Sequence, residues 1–203
     1  MTADAWVAVD LGAQSGRVML GGYTADGLDL TEVHRFANTP VRIDGIWCWD
    51  AERLFDDTVA GLAAAMRIAN ERGLRVQGIA VDSWGVDYGL IDAEGRLAAP
   101  VRHYRSATAE VMEAARSSAP ADWAYARAGI VELPINTAFQ LHRDVSLGLL
   151  DGDVTALLIP DLWTFWLCGA RGAMGNQRQQ ERGAGLKYGA AFRGRGRYRF
   201  GLK

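Results

Sequence analysis

The chain has little cysteine, little proline and no long hydrophobic run. Its 203 residues include two cysteines, Cys48 and Cys168, and five prolines. Two cysteines without neighbours at metal-ligand spacing argue against a disulfide framework and against a zinc-finger type of site. The apolar runs are far shorter than the roughly 20 residues of a bilayer-spanning helix, and acidic Asp4 stands where a secretory signal would be basic. We therefore expect a cytoplasmic protein with no membrane partner.

The chain does have enough apolar side chain for one substantial core, because 49% of its residues are hydrophobic. Its charge is uneven: residues 1–176 contain 14 Lys and Arg against 23 Asp and Glu, whereas residues 177–203 contain 8 against 1. From residue 176 onward Gly and Arg dominate and no apolar period remains. The sequence therefore predicts an acidic folded domain over 1–175 and a disordered basic tail over 176–203.

The hydrophobic pattern changes from strands to helices along the chain. Apolar runs at 6–10, 17–20 and 28–36 predict three strands in an antiparallel meander. A helix is predicted from the N-cap Asp50 to Gly73, with a face made of Leu54, Phe55, Val59, Leu62, Met66 and Ala69. Strands at 74–81 and 88–91 follow, and beyond residue 108 the pattern is mostly helical. This order predicts an α/β fold with a mixed sheet flanked by helices.

The first polar motif, Asp10-Leu-Gly-Ala-Gln-Ser-Gly-Arg17, follows the first predicted strand. An Asp at a strand end can hold water on Mg²⁺, and a glycine-containing turn can present backbone N–H groups and the Ser15 hydroxyl to a phosphate. Arg17 can add a charge-assisted contact. The same residues suit a plain hairpin in which Gly12 and Gly16 supply positive φ angles. No Gly-Lys-Ser/Thr of a Walker A loop follows, and the motif alone leaves both interpretations open.

The second polar motif runs from Gly78 to Tyr88 and contains Asp82, Trp84, Gly85 and Asp87. An indole offers a stacking face and a glycine lets a hydroxyl group approach the main chain, as a polyhydroxy ligand requires. Taken alone, a buried tryptophan that anchors a β-turn is the simpler interpretation. We assign two further groups to packing or to the surface: the histidines His34, His103 and His142, and the tryptophans Trp47, Trp49, Trp163 and Trp166.

The two motifs, in this order and separation, resemble those of the FGGY carbohydrate kinases, and the wording is similar to that of the rhamnulokinase group. Further matching stretches lie at Glu32-Val-His-Arg-Phe36, Trp49-Asp50, Tyr104-Arg105, Leu133-Pro-Ile-Asn-Thr137, Gln140-Leu141 and Leu158-Ile-Pro-Asp-Leu162. The resemblance covers about residues 6–175. It implies an actin/Hsp70-like (ribonuclease H-like) ATPase lobe from an enzyme that phosphorylates a ketose with ATP and Mg²⁺.

The resemblance also implies a role for each matching residue. The ATP-binding residues would be Ala13, Gln14, Ser15, Gly16 and Arg17, with Asp10 near the metal. The substrate-binding residues would be Gly85, Asp82, Trp84, Asp87 and Arg105. Arg105 matches an arginine of the family. The next two residues, Ser106 and Ala107, depart from the Asp-x-Arg motif that follows this arginine in the family. The expected substrate is L-rhamnulose, with xylulose and fuculose as alternatives.

The resemblance places the family's general base downstream of the matching stretch. We therefore expect no catalytic base in this chain, which would be a truncated and inactive N-terminal part of the enzyme. The tail fits a shifted reading frame, because the codons AAC-GCC-AGC for Asn-Ala-Ser, read from a C one nucleotide upstream, give CAA-CGC-CAG, which encodes Gln-Arg-Gln, the sequence at 177–179.

Two other interpretations stay open: a sugar- or nucleotide-binding module without catalysis, and an RNA-binding tail with Arg193-Gly-Arg-Gly-Arg-Tyr-Arg199. The acidic body argues against the RNA partner, and the oligomeric state is left open.

Overall fold

A computed structural model describes residues 3–117, 125–126, 128–169 and 192–193. The chain divides into two compact units, one formed by Met1–Val41 and Trp49–Trp84 and the other by Arg42–Cys48 and Gly85–Lys203. No helix in the described ranges is both long and apolar enough to span a bilayer. The tail predicted over 176–203 lies outside the described residues, apart from the short strand Phe192–Arg193.

The described secondary structure comprises ten strands and four α-helices. The strands are β1 (Ala3–Leu11), β2 (Ser15–Thr24), β3 (Gly27–Ala37), β4 (Val41–Ile43), β5 (Ile46–Trp49), β6 (Leu74–Ser83), β7 (Tyr88–Ile91), β8 (Val101–Arg102), β9 (Thr155–Leu158) and β10 (Phe192–Arg193). The helices are α1 (Ala51–Glu71), α2 (Ala109–Arg116), α3 (Thr137–Ser146) and α4 (Ile159–Leu167), and a 3-10 turn spans Tyr104–Ser106.

The first unit is a mixed sheet in the order β3-β2-β1-β6. Strands β1, β2 and β3 pair antiparallel through short turns, which confirms the predicted meander. Strand β6 pairs parallel to β1, and this pairing requires a long crossover, which includes α1. The carboxyl ends of β1 and β6 therefore lie at the same edge of the sheet.

Helix α1 begins and ends where the sequence predicts. The Asp50 carboxylate accepts a hydrogen bond from the Arg53 backbone N–H at 3.3 Å, and Gly73 adopts a positive φ of 65° after the last turn. The predicted apolar face is partly wrong, because Val59 and Met66 are 45% and 50% exposed. Smaller residues of α1 pack on the sheet instead of Val59 and Met66. A Cβ atom on Gly61 would overlap the Val18 side chain, so only glycine allows α1 to approach β2 this closely.

The alternation of β1 decides which side chains reach the solvent. Val7, Val9 and Leu11 are buried, whereas Asp10 points to the opposite face and is partly exposed. Val9 is paired in register with Val18, which lies against α1, so the buried residues belong to the face that the helix covers. Asp10 is therefore held near the carboxyl edge of the sheet, on the face away from α1.

The second unit contains two small sheets, in the orders β10-β9-β7 and β4-β5-β8. Tyr88, Leu90, Leu150 and Ala156 form a buried cluster around β7 and β9. The sequence predicts none of the short strands β4, β5, β8, β9 and β10. Pro160 lies in the first turn of α4, where a missing N–H removes no helical hydrogen bond.

Candidate functional site

The turn between β1 and β2 is closed by its own backbone. The Gly12 N–H donates to the Ser15 carbonyl at 2.9 Å. The positive φ angles predicted for Gly12 and Gly16 are wrong, because neither residue is in the left-handed region. Space explains both glycines instead: a Cβ on Gly16 would overlap the Phe36 ring, and one on Gly12 would lie 3.0 Å from the Ser15 carbonyl oxygen.

Asn38 fixes this turn from the end of β3. Its backbone N–H donates to the Gln14 carbonyl at 3.0 Å, and its Nδ2 donates to the Gly12 carbonyl at 2.9 Å. Asn38 is only 4% exposed. Within the described part of the chain, no acceptor is recorded for the backbone amides of Ala13 and Gln14. The carbonyls of Gly12 and Gln14 are thus engaged by Asn38, whereas the N–H groups of Ala13 and Gln14 stay available to a bound acceptor such as a phosphate oxygen.

Three charged side chains lie at the carboxyl edge next to this turn. Asp10 is a register partner of Arg17 on β2 and forms an ion pair with it, and each side chain is about 40% exposed. Asp10 is also the register partner of Asp82 on the parallel strand β6, and Asp82 is exposed. Paired residues of neighbouring strands point to the same face of a sheet. The two carboxylates therefore share one face of the sheet at this edge.

Carboxylate oxygens are the ligands that Mg²⁺ prefers, and Mg²⁺ commonly keeps several waters and phosphate oxygens in its shell. No cluster of three or more His, Cys, Asp or Glu side chains suited to a metal occurs among the described residues. Two carboxylates are too few to hold a metal by protein ligands alone. They are enough for a magnesium ion that is also bound by the phosphates of a ligand, and Asp10 and Asp82 form such a pair.

Trp84 is attached to the same edge. Its backbone N–H donates to the Leu11 carbonyl at 3.0 Å, directly before the Gly12 turn. Its indole packs on Trp49, with ring centroids 4.5 Å apart and a 45° angle between the planes. Trp49 is 2% exposed, whereas Trp84 is partly exposed. The buried ring of Trp49 supports Trp84, whose accessible surface is available to a ligand.

One of the chain's crossings between the two units falls between Trp84 and Gly85. In the second unit, Gly85 is exposed, and no atom lies within 4 Å of the position a Cβ would take. Asp87 is 1% exposed, and its carboxylate accepts hydrogen bonds from the Tyr104 backbone N–H at 3.2 Å and from Gln140 Nε2 at 3.3 Å. Asp87 therefore holds protein groups in place, and the Gly85 backbone is the accessible part of this segment.

The 3-10 turn after β8 carries the predicted Arg105. Arg105 is exposed, and its guanidinium lies 5.7 Å from the centre of the Tyr104 ring. Its backbone N–H donates to Nδ1 of His103, which is 5% exposed and caps the turn. Burial and, less strongly, the Arg105 charge lower the pKa of the His103 imidazole. This histidine serves as a cap within the fold.

The chain is similar to known sugar kinases. No family model matches it. A rhamnulokinase of Klebsiella pneumoniae (strain 342) is 39% identical over 168 residues, which cover 80% of this chain and 34% of the relative. A carbohydrate kinase of Novosphingobium aromaticivorans superposes with a TM-score of 0.61 at 25% identity, over 79% of this chain and 33% of that one. These similarities confirm the predicted resemblance to the FGGY carbohydrate kinases.

Carbohydrate kinases of this family have the actin/Hsp70-like ATPase fold, which the mixed sheet and its antiparallel meander confirm for this chain. A Plasmodium falciparum glycerol kinase solved with ADP has the same fold, with a TM-score of 0.58 at 12% identity over 81% of this chain and 34% of that one. The chain spans about one third of the length of the curated relatives that it matches.

The structure brings the predicted site residues together in two groups. Asp10, the 13–17 segment, Asp82 and Trp84 meet at one edge of the first unit. Asp87 and the turn that carries Arg105 are linked in the second unit by the Tyr104 N–H. Sequence reasoning assigned no role to Asn38, Thr137 or Gln140. The last two stand in stretches that match the family, whereas Asn38 has no signal beyond being a polar residue after a strand.

Proposed function

We propose that this chain forms part of an enzyme that phosphorylates a ketose with ATP, with L-rhamnulose as its substrate. The observation that carries the proposal is the meeting of two motifs at one sheet edge. The turn at Gly12–Gly16 and the segment at Trp84 are joined by the hydrogen bond from Trp84 to Leu11. The name of the Klebsiella relative supports the choice of rhamnulose among ketoses.

In this proposal the β1–β2 turn binds the phosphates of ATP. The amides of Ala13 and Gln14 and the hydroxyl of Ser15 donate to phosphate oxygens, and Arg17 adds a charged donor. When bound, ATP would supply the phosphoryl group and Mg²⁺ would neutralise the charge of its phosphates. Asp10, with Asp82 beside it, orients water molecules on the metal. Asn38 keeps the turn in the conformation that presents these donors.

We propose a ketose-binding role for Trp84 in the first unit and, separately, for Gly85 and Arg105 in the second unit. The Trp84 ring, which packs on the buried Trp49, provides a surface on which the sugar can stack. Gly85 offers an accessible backbone, and Asp87 keeps that backbone in position. Arg105 offers an exposed guanidinium for sugar hydroxyl groups. L-Fuculose and D-xylulose differ from L-rhamnulose in their hydroxyl groups or chain length, so they are the natural comparison substrates.

Phosphoryl transfer to an alcohol also requires a carboxylate that accepts the hydroxyl proton. We place this general base in the part of the kinase relatives that the chain does not span. We therefore expect these 203 residues to bind substrates but not to turn them over.

An ATP-consumption assay with L-rhamnulose, L-fuculose and D-xylulose tests the proposal. It compares this chain with a version joined to the remaining two thirds of a rhamnulokinase. We expect ketose-dependent ADP formation from the longer version only, with L-rhamnulose preferred. Absence of ketose-dependent turnover in the longer version would disprove the kinase proposal, and turnover by the chain alone would disprove the location of the base.

A further inference from the structure

Three polar side chains of α3 hold three consecutive residues that follow Gly85. Thr137 Oγ1 donates to the Val86 carbonyl at 2.9 Å. Gln140 Nε2 lies 3.2 Å from the same carbonyl and 3.3 Å from Asp87 Oδ1. Asp144 Oδ2 accepts from the Tyr88 hydroxyl at 2.6 Å. Residues 137, 140 and 144 lie on one face of a helix, so each turn of α3 holds the next residue of the segment.

Val86 has a backbone conformation that its side chain disfavours. Its φ is 69°, in the left-handed region, where a β-branched residue is an outlier. Such a conformation persists only where surrounding contacts impose it. At Val86, Thr137 and Gln140 both donate hydrogen bonds to the carbonyl oxygen.

Burial makes these hydrogen bonds difficult to replace. Gln140 is 1% exposed, and its Nε2 also donates to the Ile135 carbonyl at 2.8 Å, so the N–H groups of its amide are used within the protein. Asp87 is 1% exposed. If Gln140 were removed, the Asp87 carboxylate would lose one of its donors in a place that water does not reach.

We propose that Thr137 and Gln140 are positioning residues for the sugar substrate. They hold Val86 in its left-handed conformation and so fix the direction in which Gly85 presents its backbone. The substrate part of this inference rests on the proposed function, in which Gly85 contacts the ketose. The conformational part rests only on contacts within the second unit.

The pair of Tyr88 and Asp144 provides a matched control. It belongs to the same helix face, but it holds a residue inside β7 that lies further from Gly85. Asp144 is also held by Arg143 Nε at 2.8 Å. Tyr88→Phe removes one buried hydroxyl and should lower stability without turning the Gly85 backbone.

The experiment uses the ¹⁵N-labelled 203-residue chain and four variants: Thr137→Val, Thr137→Ser, Gln140→Leu and Tyr88→Phe. Valine has the shape of threonine without its hydroxyl, whereas serine keeps the hydroxyl. The three-bond HN–Hα coupling of Val86 reports its φ, and the amide exchange rates of residues 85–87 report how firmly the segment is held. The Gly85 amide is then followed during titration with L-rhamnulose.

We expect Thr137→Val and Gln140→Leu to change the Val86 coupling and to accelerate exchange at residues 85–87 about fivefold or more, the effect of one lost hydrogen bond. L-Rhamnulose should bind Thr137→Val about fivefold more weakly, and Thr137→Ser should restore both values. Tyr88→Phe should leave the Val86 coupling and the sugar affinity unchanged.

Two results would count against the inference in different ways. An unchanged Val86 coupling and exchange rate in both Thr137→Val and Gln140→Leu would overturn the positioning role, whatever the sugar does. A response at Val86 combined with no shift of the Gly85 amide under L-rhamnulose in the wild type would support the conformational role. That second result would overturn the proposed contact between Gly85 and the ketose.

Discussion

Asp10 and Asp82 are register partners on the parallel strands β1 and β6, although 72 positions separate them in the sequence. The pairing places two carboxylates on one face at the carboxyl edge of the sheet, beside the turn whose amides are free to bind an acceptor. One residue further on, the Leu11 carbonyl accepts the Trp84 N–H. Parallel pairing thus joins the two polar motifs of the chain at a single edge.

Replacing Asp10 with Asn should weaken magnesium-dependent nucleotide binding. If Asp10 orients waters on the metal, its loss should lower Mg²⁺ affinity roughly 10- to 100-fold. Stability should change by less than about 1 kcal/mol, because the Asp10–Arg17 ion pair is half-exposed. Calorimetric titration of a nonhydrolysable ATP analogue at several Mg²⁺ concentrations measures the effect.

Asp4→Asn is the control for this experiment. Asp4 lies at the other end of β1, where its carboxylate accepts hydrogen bonds from Gln77 and Arg75, which lower the pKa of the carboxyl group. Equal losses of nucleotide affinity in Asp4→Asn and Asp10→Asn would contradict a metal role for Asp10.

The two motif glycines should respond differently to alanine. Gly16→Ala should reduce the free energy of unfolding by about 1–3 kcal/mol, because the new methyl group would overlap the buried Phe36 ring. Gly85→Ala has open space and should change stability by no more than about 0.5 kcal/mol. It should nevertheless weaken L-rhamnulose binding. Urea denaturation and sugar titration separate the two effects, and similar destabilisation by both substitutions would argue against this account.

Asn38→Ala should loosen the β1–β2 turn. The variant loses the hydrogen bond from Nδ2 to the Gly12 carbonyl, which should lower the free energy of unfolding by about 1–2 kcal/mol. Nucleotide binding should weaken as well, because the amides of Ala13 and Gln14 would no longer be held in one direction. The control is Asn70→Ala, an exposed position on α1. Unchanged nucleotide affinity in a folded Asn38→Ala variant would remove Asn38 from the site.

His103 should make stability depend on pH. Burial lowers the pKa of its imidazole below the ordinary 6.5, so the unfolded chain takes up this proton before the folded chain does. The stability that the neutral His103 imidazole contributes to the folded state is fully present above about pH 6.5. It is lost as the pH falls from there towards the lower pKa of the folded state. His103→Asn keeps an acceptor for the Arg105 N–H and should show a smaller decrease of unfolding free energy between pH 7.5 and 5.5. Parallel pH profiles for both proteins would rule this mechanism out.

The elements that sequence reasoning found are those whose signals are local. A short apolar run predicts β1, and the Asp50 cap and Gly73 predict the ends of α1. The packed face of α1 could not be predicted from hydrophobicity alone, because it depends on how closely the helix approaches β2. That approach selects Gly61 and Ala65 and leaves Val59 and Met66 exposed.

The site could be predicted only where its residues lie within a motif. Asp10, Arg17 and Trp84 belong to the two short motifs, at 10–17 and 78–88, that resemble those of the kinase family. Asn38, Thr137 and Gln140 act through hydrogen bonds to backbone groups 24 to 54 positions away, and no local pattern records such a contact. The left-handed conformation of Val86 could not be predicted from the sequence either, because valine is an ordinary strand residue.

The central place of β1 also sets an order of assembly. Its pairing with β2 closes over a few residues, so the three-stranded meander can form as soon as residues 3–37 have left the ribosome. Its pairing with β6 must close a loop of about 70 residues, as the contact from Arg75 to Asp4 illustrates. Such long-range pairing is slow because its entropy is lost before its contacts form. The β1–β2 turn can therefore form before β6, the strand that carries Asp82, is available for pairing.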